Sequence, residues 1–167
     1  MNRNVISFCW NSLDNSLYAF HSDGYYEWNN SNNFKVRNET LLKFNFEIMG
    51  GTLADEKIIL WGQNNLALVK NDEVEEEVKT KHELEKILKM NDHFFFVLKS
   101  GKICKNKRFD LFECENRGFD LKTKGKDFKL LPLQQNKFIL MTHQHNLRFY
   151  EWAKMSNEFS EMAVIEK

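Results

Sequence analysis

The chain has 167 residues and a mass of 20.0 kDa, of which 42% are hydrophobic, 29% charged and 14% aromatic. That is ample material for a packed interior and too much for wholesale disorder. Lysine plus arginine and aspartate plus glutamate each number 24, so the net charge is zero, which argues against a dedicated nucleic-acid or anionic-membrane binder.

From the N-terminus, Val5 to Trp10 forms a short apolar stretch, too short for a signal-peptide core or a membrane span. No later apolar run approaches span length. Turn residues Asn11 to Asn15 follow, then Leu17-Tyr18-Ala19-Phe20, the turn His21-Ser22-Asp23-Gly24, and Tyr25-Tyr26-Glu27-Trp28. An apolar run, a tight turn and a second apolar run spell a β-hairpin. The pattern recurs with Ile58-Ile59-Leu60-Trp61, the turn Gly62-Gln63-Asn64-Asn65, and Leu66-Ala67-Leu68-Val69.

Residues 72–90 break the pattern, because they are rich in helix formers. Val74, Val78, Leu84, Ile87 and Leu88 could form a partial apolar stripe, Asn71 or Asp72 could cap it, and acidic residues precede basic ones. One helix near 72–90 is therefore weighed against a loop plus strand. The third hairpin is Phe94-Phe95-Phe96-Val97-Leu98, Lys99-Ser100-Gly101, and Lys102-Ile103-Cys104. The fourth is Phe138-Ile139-Leu140-Met141, Thr142-His143-Gln144-His145-Asn146, and Leu147-Arg148-Phe149-Tyr150.

Aligned on Gly24, Asn65, Gly101 and Asn146, where a hairpin needs positive φ, the units recur with a period of roughly forty residues. Short apolar strands precede the first, third and fourth hairpins: Val5–Trp10, the run from Lys86 to Met90, and the run from Lys129 to Leu133. Phe34–Arg37 and Leu111–Glu113 are candidates for a fourth strand. The expected fold is all-β, with four consecutive antiparallel blade-like sheets forming a half-propeller or a small propeller. One domain, 1–167, would hold repeats at approximately 4–37, 46–80, 84–114 and 127–165. Nearly continuous apolar central strands must be covered on both faces, so Tyr18, Phe20, Ile59, Trp61, Phe95, Val97, Ile139 and Met141 are the expected buried set.

Ser22-Asp23-Gly24-Tyr25-Tyr26-Glu27-Trp28-Asn29 resembles the blade ending of the tryptophan-aspartate (WD) repeat family, with Asn29 in place of the family's aspartate. Leu147-Arg148-Phe149-Tyr150-Glu151 resembles the same ending, with Tyr150 for the tryptophan and Glu151 for the aspartate. The glycine-histidine pair that opens a typical repeat of that family is missing. The resemblance implies a propeller of a degenerate kind and corresponding blade positions for Trp28 and Tyr150. Four units are few for that family, and an open edge would expose an apolar face for a partner to cover.

Cys9, Cys104 and Cys114 show no CxxC spacing, so neither a disulfide framework nor a zinc site is indicated. An intracellular setting, cytoplasmic or nuclear, is the expectation. His143 and His145 lack further ligands nearby in sequence and read as turn residues. Lys102, Lys105, Lys107 and Arg108 form a basic stretch and are the candidate nucleic-acid contacts; Lys122, Lys124 and Lys126 form another. No nucleophile elbow or phosphate-binding glycine loop occurs. No catalytic residue, cofactor or metal is expected. The expected function is a non-catalytic scaffold in a larger assembly, with a protein partner that completes the propeller in trans or by homodimerisation. The alternatives are an RNA-associated accessory protein using the basic loops and an enzyme with a site in a central channel.

Overall fold

The computed structural model describes residues 3–54, 56–90, 93–106, 118–133, 136–153, 155, 156 and 158–166. The fold is all-β and of the propeller-blade type. The chain divides into two compact units, Met1–Leu84 and Glu85–Lys167. The strands are β1 (Ser7–Asn11), β2 (Ser16–His21), β3 (Gly24–Trp28), β4 (Asn38–Leu41), β5 (Gly50–Ala54), β6 (Lys57–Trp61), β7 (Asn65–Lys70) and β8 (Glu73–Lys79), followed by β9 (Leu84–Met90), β10 (His93–Leu98), β11 (Lys102–Asn106), β12 (Phe119–Asp120), β13 (Phe128–Pro132), β14 (Lys137–Thr142), β15 (Leu147–Ala153) and β16 (Glu158–Ile165). They form four four-stranded sheets, each an antiparallel meander in chain order.

The four hairpins read from the sequence join the two central strands of each sheet. Their turn chemistry is less uniform than their alignment. Gly101 takes φ +92, which a side chain would resist, but in the fourth hairpin the left-handed residue is His145 at φ +62, one before Asn146. The outer strand of the first sheet is Asn38–Leu41, just beyond the Phe34–Arg37 run. The Leu111–Glu113 candidate lies outside the described residues, and β12 holds the outer position of the third sheet.

The helix weighed for residues 72–90 against a loop plus strand is not formed. Its residues make β8 and β9, and the Asn71 and Asp72 read as a cap are the two central residues of the β7–β8 hairpin, at φ +51 and +63. Positive φ at both positions is the signature of a type I′ turn, whose twist matches antiparallel strands. Pairing of Val74 with Val69 and Val78 with Leu66 overrides the helix propensity of the intervening glutamates.

In the first unit, the face of the first sheet carrying Phe20 and Tyr25 packs on the face of the second carrying Ile58, Leu60, Ala67 and Val69. Gly51 permits the close approach: a Cβ there would lie 2.5 Å from the Phe20 ring. Tyr25 Oη donates to Asp72 Oδ1, and Thr40 Oγ1 donates to the same oxygen at 3.3 Å, tying the first sheet to the type I′ turn. In the second unit, Phe95, Val97 and Ile103 of the third sheet meet Phe138, Leu140, Tyr150 and Trp152 of the fourth. Phe95 has ring centroids 4.9 Å from Trp152 and 5.4 Å from Phe159, both edge-on, the geometry aromatic quadrupoles favour.

Phe20, Ile59, Trp61, Phe95 and Val97 are buried as expected, but Tyr18, Ile139 and Met141 are only half-buried. Strand alternation explains the last two. Phe138 and Leu140 point into the second unit's core, so Ile139 and Met141 point to the other face of the same sheet. Cys9 is a free thiol, whereas Cys104 is buried and disulfide-bonded, which corrects the expectation that no disulfide is indicated.

Truncating Phe95 or Phe138 to alanine removes a ring with no exposed surface and should cost about 3–5 kcal/mol. Ile139→Ala, on the outer face, should cost well under half of that in the same chemical-denaturation series. Equal losses for Phe138→Ala and Ile139→Ala would mean that both faces are sealed.

Candidate functional site

Register separates the first sheet into two faces. One carries Cys9, Tyr18, Phe20 and Tyr25 and belongs to the first unit's core. The other carries Phe8, Trp10, Leu17, Ala19, Tyr26 and Trp28. Phe8 is 76% and Trp10 51% exposed. Trp10 and Phe34 place their ring centroids 6.0 Å apart, and Trp28 meets Tyr26 edge-on at 6.1 Å. This aromatic face is open to solvent along β1, at Phe8 and Trp10, while Ala19 and Tyr26 on it are buried.

A charged network closes one end of that face. Arg3 donates from Nε to Asp23 Oδ2 at 2.7 Å, from Nη1 to Glu39 Oε1 at 2.9 Å, and from its backbone N–H to Tyr26 Oη at 3.0 Å. Arg37 lies over the Tyr26 ring, 4.2 Å from its centroid. Beneath them His21 is fully buried, its Nδ1 accepting from the Asp23 amide at 3.2 Å and its Nε2 3.7 Å from Glu39 Oε1 without a hydrogen bond. Burial outweighs the pull of Glu39 and holds the imidazole below its ordinary value of 6.5, while the Arg3 guanidinium holds the Asp23 carboxyl below the usual carboxylate range.

The fourth sheet has an open face of its own. Leu131, Ile139, Phe149 and Ala163 stand in one cross-strand row, and Met141, Leu147 and Ile165 in the next. Leu131 is 59% and Ile165 56% exposed.

The two open faces are of opposite kinds. The pairs Leu17↔Trp28, Ile58↔Val69 and Phe138↔Tyr150 hold the same place, the second residue of a sheet's second strand and its partner. Trp28 and Tyr150 therefore occupy corresponding blade positions. In the second and fourth sheets this face is buried against the preceding sheet of the same unit. In the first sheet the same kind of face is open, and in the fourth the opposite kind is open. Trp28, of the motif-like blade ending, and Ile139, expected in the core, are both half-buried and lie on these two faces by cross-strand register.

Of the candidate nucleic-acid contacts, Lys102 and Lys105 lie on β11, three residues apart and so on opposite faces. Lys105 Nζ sits 5.0 Å from the centroid of the Trp152 ring, a cation–π contact with a core residue. Lys107 and Arg108 lie outside the described residues. The second basic stretch is placed differently. Lys122, Thr123, Lys124 and Lys126 share a cleft of about 280 Å³ with Thr142, His143, Gln144, Asn146 and Arg148. Among the described residues no cluster of histidine, cysteine or acidic side chains is arranged to hold a metal. A cleft of about 370 Å³ in the first unit is lined by Tyr18, Tyr25, Lys57 and Asp72, with Tyr25 bound to Asp72 as described. Burial, then the nearby carboxylates, push both tyrosines up. Among the described residues no helix is long and apolar enough to cross a membrane.

No protein-family model matches the chain, and no curated protein matches it. Solved structures do. The β-propeller domain of Myceliophteria thermophila Cps50 (Swd1) superposes with a TM-score of 0.69 at 13% identity, over 98% of this chain and 58% of that one. The Neurospora crassa Pan2 WD40 domain gives 0.60 at 10% identity, over 97% and 52%. YCF48 bound to D1 peptide gives 0.58 at 8% identity, over 81% and 47%. The chain thus has the WD-type propeller fold and spans about half the length of the propellers it matches.

The buried histidine sets a pH dependence. Above the ordinary histidine value of 6.5 His21 is neutral in both folded and unfolded chains. As the pH falls through that value, the unfolded chain binds a proton that the folded one refuses, and stability drops. Melting temperatures measured between about pH 7.5 and 5.5 should fall for the parent and fall less for His21→Gln. Parallel curves would assign the loss to other groups.

Proposed function

We propose that this protein is a non-catalytic interaction module whose two open sheet faces dock blade-like sheets of another chain, in the first instance a second copy of itself. The observation behind this reading is the pair of unlike apolar faces. Each is the kind that, elsewhere in the same chain, lies buried against the other kind. An aromatic face holding Phe8, Trp10 and Trp28 is costly to leave in water, since each large side chain contributes about 1.5–3 kcal/mol when fully buried. The chain covers only 58% of the Cps50 propeller and 52% of the Pan2 WD40 domain, so a second set of blades of similar size brings the length to theirs. The D1 peptide on YCF48 is a precedent for a propeller that takes a protein ligand. A partner contributing sheets of its own would use the same two faces.

Light scattering on the isolated chain should report a dimer or larger species that dissociates on dilution. Phe8→Glu combined with Trp10→Glu should shift it to monomer while leaving the thermal melt of the monomer within about 0.5 kcal/mol of the parent, because both side chains are on the surface. A parent that stays monomeric at the highest soluble concentration, and is unchanged by the double substitution, overturns self-association through this face.

A further inference from the structure

The cleft beside the fourth hairpin joins two segments the sequence keeps apart. One is the loop from Leu121 to Asp127 between β12 and β13; the other is the turn from Thr142 to Asn146, with Arg148 just inside β15. Four cationic side chains, Lys122, Lys124, Lys126 and Arg148, line it with a single carboxylate, Asp127. Lys122, Lys124 and Lys126 form no ion pair within the described structure; the Arg148 Nη1 lies 3.8 Å from Glu161 Oε2. In a chain of zero net charge this is a local concentration of unneutralised positive charge.

Two buried polar atoms of the lining residues lack partners. Thr123 is 7% exposed and its hydroxyl makes no hydrogen bond; Arg148 Nε is buried and makes none either. Buried polar atoms are normally satisfied; the Thr123 hydroxyl lies against Gly101, where a Cβ would come within 2.2 Å of it, so the orphan on a cationic lining residue is Arg148 Nε. The loop backbone is unusual as well. Lys122, Lys124 and Gly125 take φ of +56, +55 and +67, and left-handed residues at non-glycine positions concentrate where a site constrains the chain.

We propose that this cleft binds a phosphate monoester, carried as a phosphorylated side chain on a protein partner. A phosphate dianion brings three acceptor oxygens and up to two charges, which matches the Arg148 guanidinium and three ammonium groups that form no ion pair within the described structure. His143, exposed at the rim, adds a further donor. RNA fits less well. Single-stranded sites pair a basic groove with open aromatic rings for base stacking, and the aromatic here, Phe128, is 6% exposed and belongs to the core. The site does not depend on whether the open faces dock, because none of its residues lies on them.

The test uses the whole chain and small probes. Inorganic phosphate and N-acetyl-phosphoserine amide are titrated while the backbone amide resonances are followed, with N-acetyl-serine amide and a short single-stranded RNA as comparisons. Saturable shifts confined to residues 121–127 and 142–148, caused by both phosphate compounds and absent with the unphosphorylated serine, are expected. Arg148→Gln should weaken binding at least tenfold. Because Arg148 is partly buried, Lys124→Gln with Lys126→Gln, both on exposed positions, provides a second variant with an intact fold and should weaken it about as much. Unsaturable shifts spread over lysines elsewhere, or phosphoserine no tighter than serine, overturn the proposal. RNA binding tighter than phosphoserine and lost in the same variants overturns it in favour of a nucleic-acid site.

Discussion

A strand whose consecutive residues are apolar has to be covered on both faces, and the architecture of this protein follows from that constraint. Ile58 and Ile59, Leu60 and Trp61, Phe95 and Phe96 are neighbours in sequence and point to opposite sides of their sheets, and all are buried. A sheet built from such strands cannot lie as an outer layer over a single core. Within each unit it packs on a second sheet, the first on the second and the third on the fourth. The propeller blade is the form that meets this need with short connections, since each four-stranded meander is local in sequence and only the stacking is long-range.

Stacking at this closeness sets further demands on single residues. Gly51 has to be glycine because the Phe20 ring occupies the place of a side chain, and Trp152 and Phe159 meet Phe95 edge-on. Polar ties then fix the register of one sheet on another. Tyr25 and Thr40 both reach Asp72, a turn residue held at positive φ by the hairpin it closes. A carboxylate at that point serves the turn and the sheet-to-sheet contact at once.

The hairpins were legible because each needs only local information: two apolar runs, a gap and turn-forming residues. What was not legible followed from pairing across distance. Residues 72–90 carry helix-forming glutamates and lysines, and only their pairing with β7 and β10's neighbourhood makes strands of them; the Asn71-Asp72 pair fits a helix cap and a type I′ turn equally well until the register is known. Ile139 and Met141 look like core by composition, and alternation alone cannot say which face of the fourth sheet is sealed. The basic cleft was half visible as Lys122, Lys124 and Lys126, but Arg148 and His143 join it only through the β13–β14–β15 pairing. Lys102 and Lys105 look equivalent in sequence and differ in the structure, since Lys105 is spent on the Trp152 ring.

The open faces of the first and fourth sheets are unlike, and unlike faces have a consequence for copy number. A contact between identical patches satisfies both partners and stops at two. A contact between complementary patches leaves one of each vacant at the two ends of whatever has formed, so any assembly built on it would be head-to-tail. Such a chain of copies either closes into a ring, when the rotation per copy divides a full turn, or extends into a fibre when it does not. The angle at which one copy follows the next, more than the strength of the contact, then decides between a finite particle and an open polymer.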